Sequence, residues 1–133
     1  MARPHAVLVF FEAVSSYVLL LTDDGAVSTV TGNGFFDWGL VDGPAHEARL
    51  QRPGGVTMHH DGSVIIADTG NNRVRRLANR RLQTLGLSGL ERPSGLASLD
   101  SGHLIIADTG HNRLVVIDPD LRSAWTLAIA PIG

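Results

Sequence analysis

The sequence contains no cysteine and no lysine. The first absence excludes disulfides, zinc-thiolate centres and thiol nucleophiles. The second excludes Schiff-base lysines and the phosphate lysine of nucleotide-binding loops. Charge of neither sign dominates: eleven arginines stand against thirteen acidic residues, a formal charge of −2. That balance argues against a globally basic nucleic-acid binder. Aromatic residues make up only 5% of the 133 residues, so any cluster of them is informative. Long hydrophobic runs are also missing. The longest, residues 6–21, is interrupted by Glu12 and Ser15-Ser16 and falls short of the roughly 20 residues a membrane helix needs. Read as a signal peptide, this run would place the protein in an extracellular or periplasmic space. Read as strands, it suits the cytoplasm. Glu12 inside the run and the want of a small-x-small cleavage site favour strands.

What is abundant is glycine, with fifteen copies beside six prolines, which means frequent turns. An apolar share of 44% with 18% charged residues describes a single globular, β-rich domain.

The chain repeats itself. Arg52-Pro53-Gly54-Gly55 recurs as Arg92-Pro93-Ser94-Gly95, and Ile65-Ile66-Ala67-Asp68-Thr69-Gly70 recurs as Ile105-Ile106-Ala107-Asp108-Thr109-Gly110, both at an offset of forty. Between residues 52–74 and 92–114, twelve of 23 positions are identical. Each unit reads as four short strands, predicted at 56–60, 63–68, 73–78 and 82–87, then at 96–100, 103–108, 113–118 and 123–129. The turns between them carry glycine and asparagine, which tolerate positive φ. Four antiparallel strands per forty residues is the pattern of a β-propeller blade. A degraded third copy begins at Arg3-Pro4, with strands predicted at 7–11, 16–21 and 27–31. The expected organisation is a first blade over about 3–32, a connector over 33–51, a second blade over about 52–89 and a third over about 92–130.

The stretches Ile66-Ala67-Asp68-Thr69-Gly70-Asn71-Asn72-Arg73 and Ile106-Ala107-Asp108-Thr109-Gly110-His111-Asn112-Arg113 resemble NHL repeats. Gly32 and Gly34, Asp42-Gly43-Pro44 and Ala48-Arg49-Leu50 resemble the linker of bacterial NHL proteins. The resemblance implies an all-β propeller segment. NHL propellers usually close with six blades and this chain supplies about three, which implies association of two copies or membership of a longer chain.

Residues shared between repeats are expected to serve the scaffold. Ile65, Ile66 and Ala67 should pack between blades. Asp68 and Asp108 should brace their turns by accepting the turn's own N–H groups, or by pairing with Arg73 and Arg113. Asp-Thr-Gly after a hydrophobic strand is also the motif of aspartic proteases, but a forty-residue spacing holds the two carboxylates in adjacent blades rather than facing each other. No cofactor is expected, since the chain has no phosphate loop or dinucleotide fingerprint.

The binding surface is expected at the end of the blades where the second-to-third-strand loops meet the connector. It comprises Asn71, Asn72 and Arg73, with His111, Asn112 and Arg113, and from the connector Phe35, Phe36, Trp38 and His46. Aromatic side chains edged by polar groups suit a protein or peptide partner; they equally suit a plug between blades. Two alternatives stand beside this reading. One, implied by the resemblance since some NHL-type propellers are lyases, is a metal-dependent lyase working at the central channel, for which His46 and His111 would supply two ligands and a third is missing. The other is RNA binding through Arg73, Arg75, Arg76, Arg80 and Arg81.

Overall fold

The computed structural model describes the backbone of residues 4–12, 15–22 and 27–31, and residues 39–127 in full. Three antiparallel sheets follow one another along the chain. The first is a meander of β1 (Pro4–Glu12), β2 (Ser15–Thr22) and β3 (Val27–Thr31). Residues 6–12 and 15–21 therefore lie in paired strands, as the charge within the run suggested. Among the described residues no helix is long and apolar enough to cross a membrane.

The second sheet holds β4 (Gly43–Pro44), β5 (Gly55–Met58), β6 (Val64–Asp68), β7 (Arg73–Ala78) and β8 (Arg81–Thr84), in the order β4-β8-β7-β6-β5. The third holds β9 (Pro93–Ser98), β10 (Leu104–Asp108), β11 (Arg113–Ile117) and β12 (Ala124–Thr126), in sequence order from the inside out. The first strands of the three sheets are neighbours, with β5 lying between β1 and β9. These are the inner edges of successive propeller blades.

The turn chemistry follows the sequence. Asn72 and Asn112 are left-handed at φ 56° and 52°, and Asn79-Arg80 are both left-handed at 52° and 59°, the geometry a two-residue hairpin loop demands. The first strands end earlier than expected, at Met58 and Ser98 instead of 60 and 100. The turn already begins there, since the Gly62 N–H donates to the His59 carbonyl and the Gly102 N–H to the Leu99 carbonyl. The fourth strands are likewise shorter, at Arg81–Thr84 and Ala124–Thr126.

Strand alternation divides β6 between two cores. Ile65 and Ala67 face blade three and pack with Val74, Leu104, Ile106, Val115 and Ile117. Val64 and Ile66 face the other way, with Leu77 and Leu82, beneath Ala45, Ala48 and Leu50 of the connector. All three residues singled out from the repeat are fully buried.

Beyond β5 the chain meets its neighbour again. His59, buried, places Nε2 2.9 Å from the Pro119 carbonyl of blade three. The next turn is held by Asp61. Partial burial pushes its carboxyl up, but the Ser63 hydroxyl and N–H, with Arg76, outweigh this and hold it down at about 2. A carboxylate depressed in the fold contributes stability fully above its unfolded value near 4, and loses it as pH falls through the folded value. Asp61→Asn is therefore expected to flatten the acid limb of a stability profile between about pH 4 and pH 2. Denaturant titrations at closely spaced pH values would show it, and an unchanged limb would mean that Asp61 is not a titrating brace.

Candidate functional site

Each repeated aspartate is the hub of its loop. The Asp68 carboxylate is fully buried. It accepts the Gln51 N–H at 2.7 Å on Oδ1, and the Asn71 amide and the Arg75 guanidinium, each at 2.7 Å, on Oδ2. Asp108 accepts the Glu91 N–H at 2.7 Å on Oδ1, with Arg113 Nε at 2.7 Å and His111 Nδ1 at 2.8 Å on Oδ2. Two expectations are corrected here. The backbone donors come from the approach segments at Gln51 and Glu91, not from the turns' own N–H groups. In blade two the cation is Arg75, not Arg73.

The two hubs differ in electrostatics. Burial is the largest influence on both and pushes the carboxyl up. At Asp68 burial prevails over Asn71, the Gln51 N–H and Arg75, so its carboxyl is raised. At Asp108 the Glu91 N–H, Arg113 and His111 outweigh it and hold the carboxyl below the usual range.

Of the expected surface, Phe35, Phe36 and Trp38 lie outside the described residues. Asn71, His111 and Arg113 are brought together with their aspartates and serve the loops. The Asn71 amide also bonds the Gly39 carbonyl at 2.7 Å, which places the start of the described connector on the same end of the blade. Asn72 Oδ1 accepts the Arg92 N–H at 2.8 Å, tying blade two to the approach of blade three. Arg73, half-buried, donates to the adjacent Asn72 carbonyl, and Asn112 is exposed on the matching loop of blade three. His46 is elsewhere: it follows Ala45, whose N–H bonds the Arg80 carbonyl, so it sits at the opposite end of the sheet, paired with Glu47 at 3.6 Å. The connector runs down the outside of blade two and back, so it cannot lie wholly on one face. Among the described residues no group of three or more histidine, aspartate or glutamate side chains could hold a metal ion.

The arginine series is also dispersed. Arg75 is completely buried and Arg76 pairs with Asp61 at 3.0 Å, so the five arginines form no continuous basic surface.

The pairing of the connector with blade two is the feature that the sequence did not reveal. Gly43 and Pro44 pair with Leu82 and Arg81, adding a fifth strand to blade two. Just before them, Asp42 accepts the Thr84 N–H at 3.0 Å, the Thr84 hydroxyl at 2.8 Å and Arg75 Nη2 at 2.9 Å. Burial pushes this carboxyl up, but those bonds outweigh it and hold Asp42 below the usual range. Arg75 also donates to the Arg49 and Val41 carbonyls, at 2.7 and 3.0 Å.

A family model, NHL repeat, matches residues 50–77 and 90–117. Searched by sequence, no curated protein matches. Solved structures match by fold. An auxiliary nutrient binding protein from Bacteroides thetaiotaomicron aligns with a TM-score of 0.59 at 16% identity, over 81% of this chain and 36% of that one. One from Bacteroides ovatus aligns with a TM-score of 0.59 at 17% identity, over 76% and 31%. A catalytically inactive virginiamycin B lyase from Staphylococcus aureus, crystallised with quinupristin, aligns with a TM-score of 0.62 at 14% identity, over 90% and 36%. The chain thus spans about a third of the length of the structures it matches.

Proposed function

We propose that this chain, which carries two NHL repeats on a β-propeller fold, acts as a non-catalytic binding module for a protein or peptide. In this reading a ring of about six blades is completed by a second copy or by the remainder of a longer chain. The observation that carries the reading is the use made of the repeated carboxylates. Asp68 and Asp108 are each committed to one backbone N–H and two side chains of the scaffold, which leaves neither as a general acid or base. What the loop end offers outward is exposed Asn112, with half-buried Arg73, donors suited to recognition, next to Gly39 at the start of the described connector. Completion of the ring is supported by blade three. Its face away from blade two carries Ile105, Ala107 and Leu114 only half-buried, where the matching Ile65, Ala67 and Val74 of blade two are fully covered.

The lyase reading stays as the rival, because the propeller fold hosts a lyase as well as binding proteins among its neighbours. Two measurements on the purified protein decide. Light scattering after size exclusion is expected to give a mass near twice 14.2 kDa, and elemental analysis less than one metal ion per ring. Stoichiometric zinc or calcium would overturn the binding-module reading. A stable monomer would overturn closure by a second copy and leave closure within a longer chain.

A further inference from the structure

Blade three repeats the construction around Arg75, with one part missing. Its guanidinium, from Arg113, binds the hub carboxylate through Nε and the Gly89 carbonyl through Nη2 at 3.0 Å. Arg75 likewise binds Asp68 and the carbonyl of Arg49, forty residues before Gly89. Thr126 stands opposite Val115 in β12 as Thr84 stands opposite Arg75 in β8, and Arg113 Nη1 reaches its hydroxyl at 3.0 Å. The Leu127 N–H closes the ladder to the Leu114 carbonyl, as that of Leu85 does to Val74. By strand alternation the Thr126 N–H points away from β11, as the Thr84 N–H does toward Asp42. In blade two these donors converge on the Asp42 carboxylate. In blade three the approach segment is cut to Gly86-Leu87-Ser88-Gly89 and makes no excursion along the outer strand. What stands there is a cavity of about 290 Å³, with Leu87, Ile106 and Val115 among its lining residues and Arg113, Arg122 and Trp125 at its sides. Among the described residues no carboxylate pairs with Arg122.

We propose that this cavity is a second docking site, for an extended peptide segment of a partner protein that lays an aspartate between Arg113 and Thr126 and adds a strand to the edge of β12 that no described strand pairs with. The occupant is specified by the chain's own solution one blade earlier, where Asp42-Gly43-Pro44 does this against β8. Strand addition supplies the backbone bonds, and the seat supplies the requirement for a carboxylate. The site lies on the outer rim between blades two and three, so it stands apart from the loop end proposed above.

The test uses the full chain and a synthetic peptide with the sequence of residues 40–50, titrated while following Trp125 fluorescence in a Trp38→Phe background. Saturable binding is expected. Replacing the aspartate of the peptide by asparagine, or Thr126 by valine in the protein, should each weaken it about tenfold or more, since each removes a charge-assisted hydrogen bond. Arg122→Glu should weaken it further at low salt than at high salt. An unaltered affinity for the asparagine peptide would overturn the carboxylate seat. No binding at about 1 mM peptide would overturn the site itself. Should Arg122→Glu instead dissociate a dimer of the free protein, the seat belongs to a second copy's connector, and the partner-protein assignment is overturned.

Discussion

Replacing Arg75 by methionine is expected to destabilise the protein by about 3–5 kcal/mol, the range for stranding one partner of a buried ion pair. Methionine fills most of the volume of the arginine stem, so the loss isolates the guanidinium. Without it, Asp68 keeps the Asn71 amide and the Gln51 N–H but stays fully buried with no countercharge. The Arg49 and Val41 carbonyls each lose one donor as well, and keep the backbone N–H of the other. Urea denaturation should show a lower midpoint at an unchanged slope. Adding Asp68→Asn to the variant should recover part of the loss, because the stranded charge is then gone. A loss below about 1 kcal/mol, the size of an exposed pair, would show that Arg75 is not the buried brace described. Arg113→Met is expected to cost less, since Arg113 is about one-third exposed at 34% and Asp108 retains the Glu91 N–H and His111.

Gly55→Ala should be nearly as damaging, at about 3 kcal/mol, toward the upper end for overpacking. A methyl group on Gly55 would overlap the Ser94 carbonyl oxygen, backbone atoms of the neighbouring inner strand that cannot swing aside. Gly95 occupies the same place in its own blade, forty residues on. There a methyl group would make ordinary contact with Ala107 at 4.0 Å. Gly95→Ala is therefore expected to be neutral within about 0.5 kcal/mol for the chain alone. The pair also reports on assembly. If a further blade presses on β9 as β9 presses on β5, Gly95→Ala will weaken that assembly while leaving the fold of a single chain unchanged. Equal and large losses from both substitutions in a demonstrably monomeric sample would contradict the packing seen between β5 and β9.

The blade pattern and its turns were legible in the sequence because they are local. A forty-residue repeat, short apolar runs at 64–67 and 104–107, and asparagine where φ must be positive are each visible within a few residues. The role of Arg75 was not. Alternation puts Arg73 and Arg75 on one face of β7 and does not say which is covered, and covering depends on a connector that arrives from outside the repeat. A signal was present all the same. Arginine at 75 meets valine at 115, and Asp42 precedes blade two alone; the two departures from the repeat compensate each other across the fold. The loop-end surface was legible only in part. Asn71 bonds Asp68 in one loop while His111 and Arg113 bond Asp108 in the next, and the return path of the connector separates His46 from them.

The fifth strand of blade two has a kinetic meaning. The bond from the Thr84 hydroxyl to Asp42 joins residues 42 positions apart, while that from Arg113 to Thr126 in blade three spans 13. Closing the longer loop costs about 1 kcal/mol more in chain entropy, so blade three can assemble from its own residues while blade two waits for its clasp. The order reverses on opening. When the two-residue strand lifts, taking with it Asp42 and the buried Ala45, Ala48 and Leu50, β8 offers a vacant edge to any other chain with the same sequence. The connector that finishes the blade is therefore also the segment through which two molecules of this protein would exchange strands.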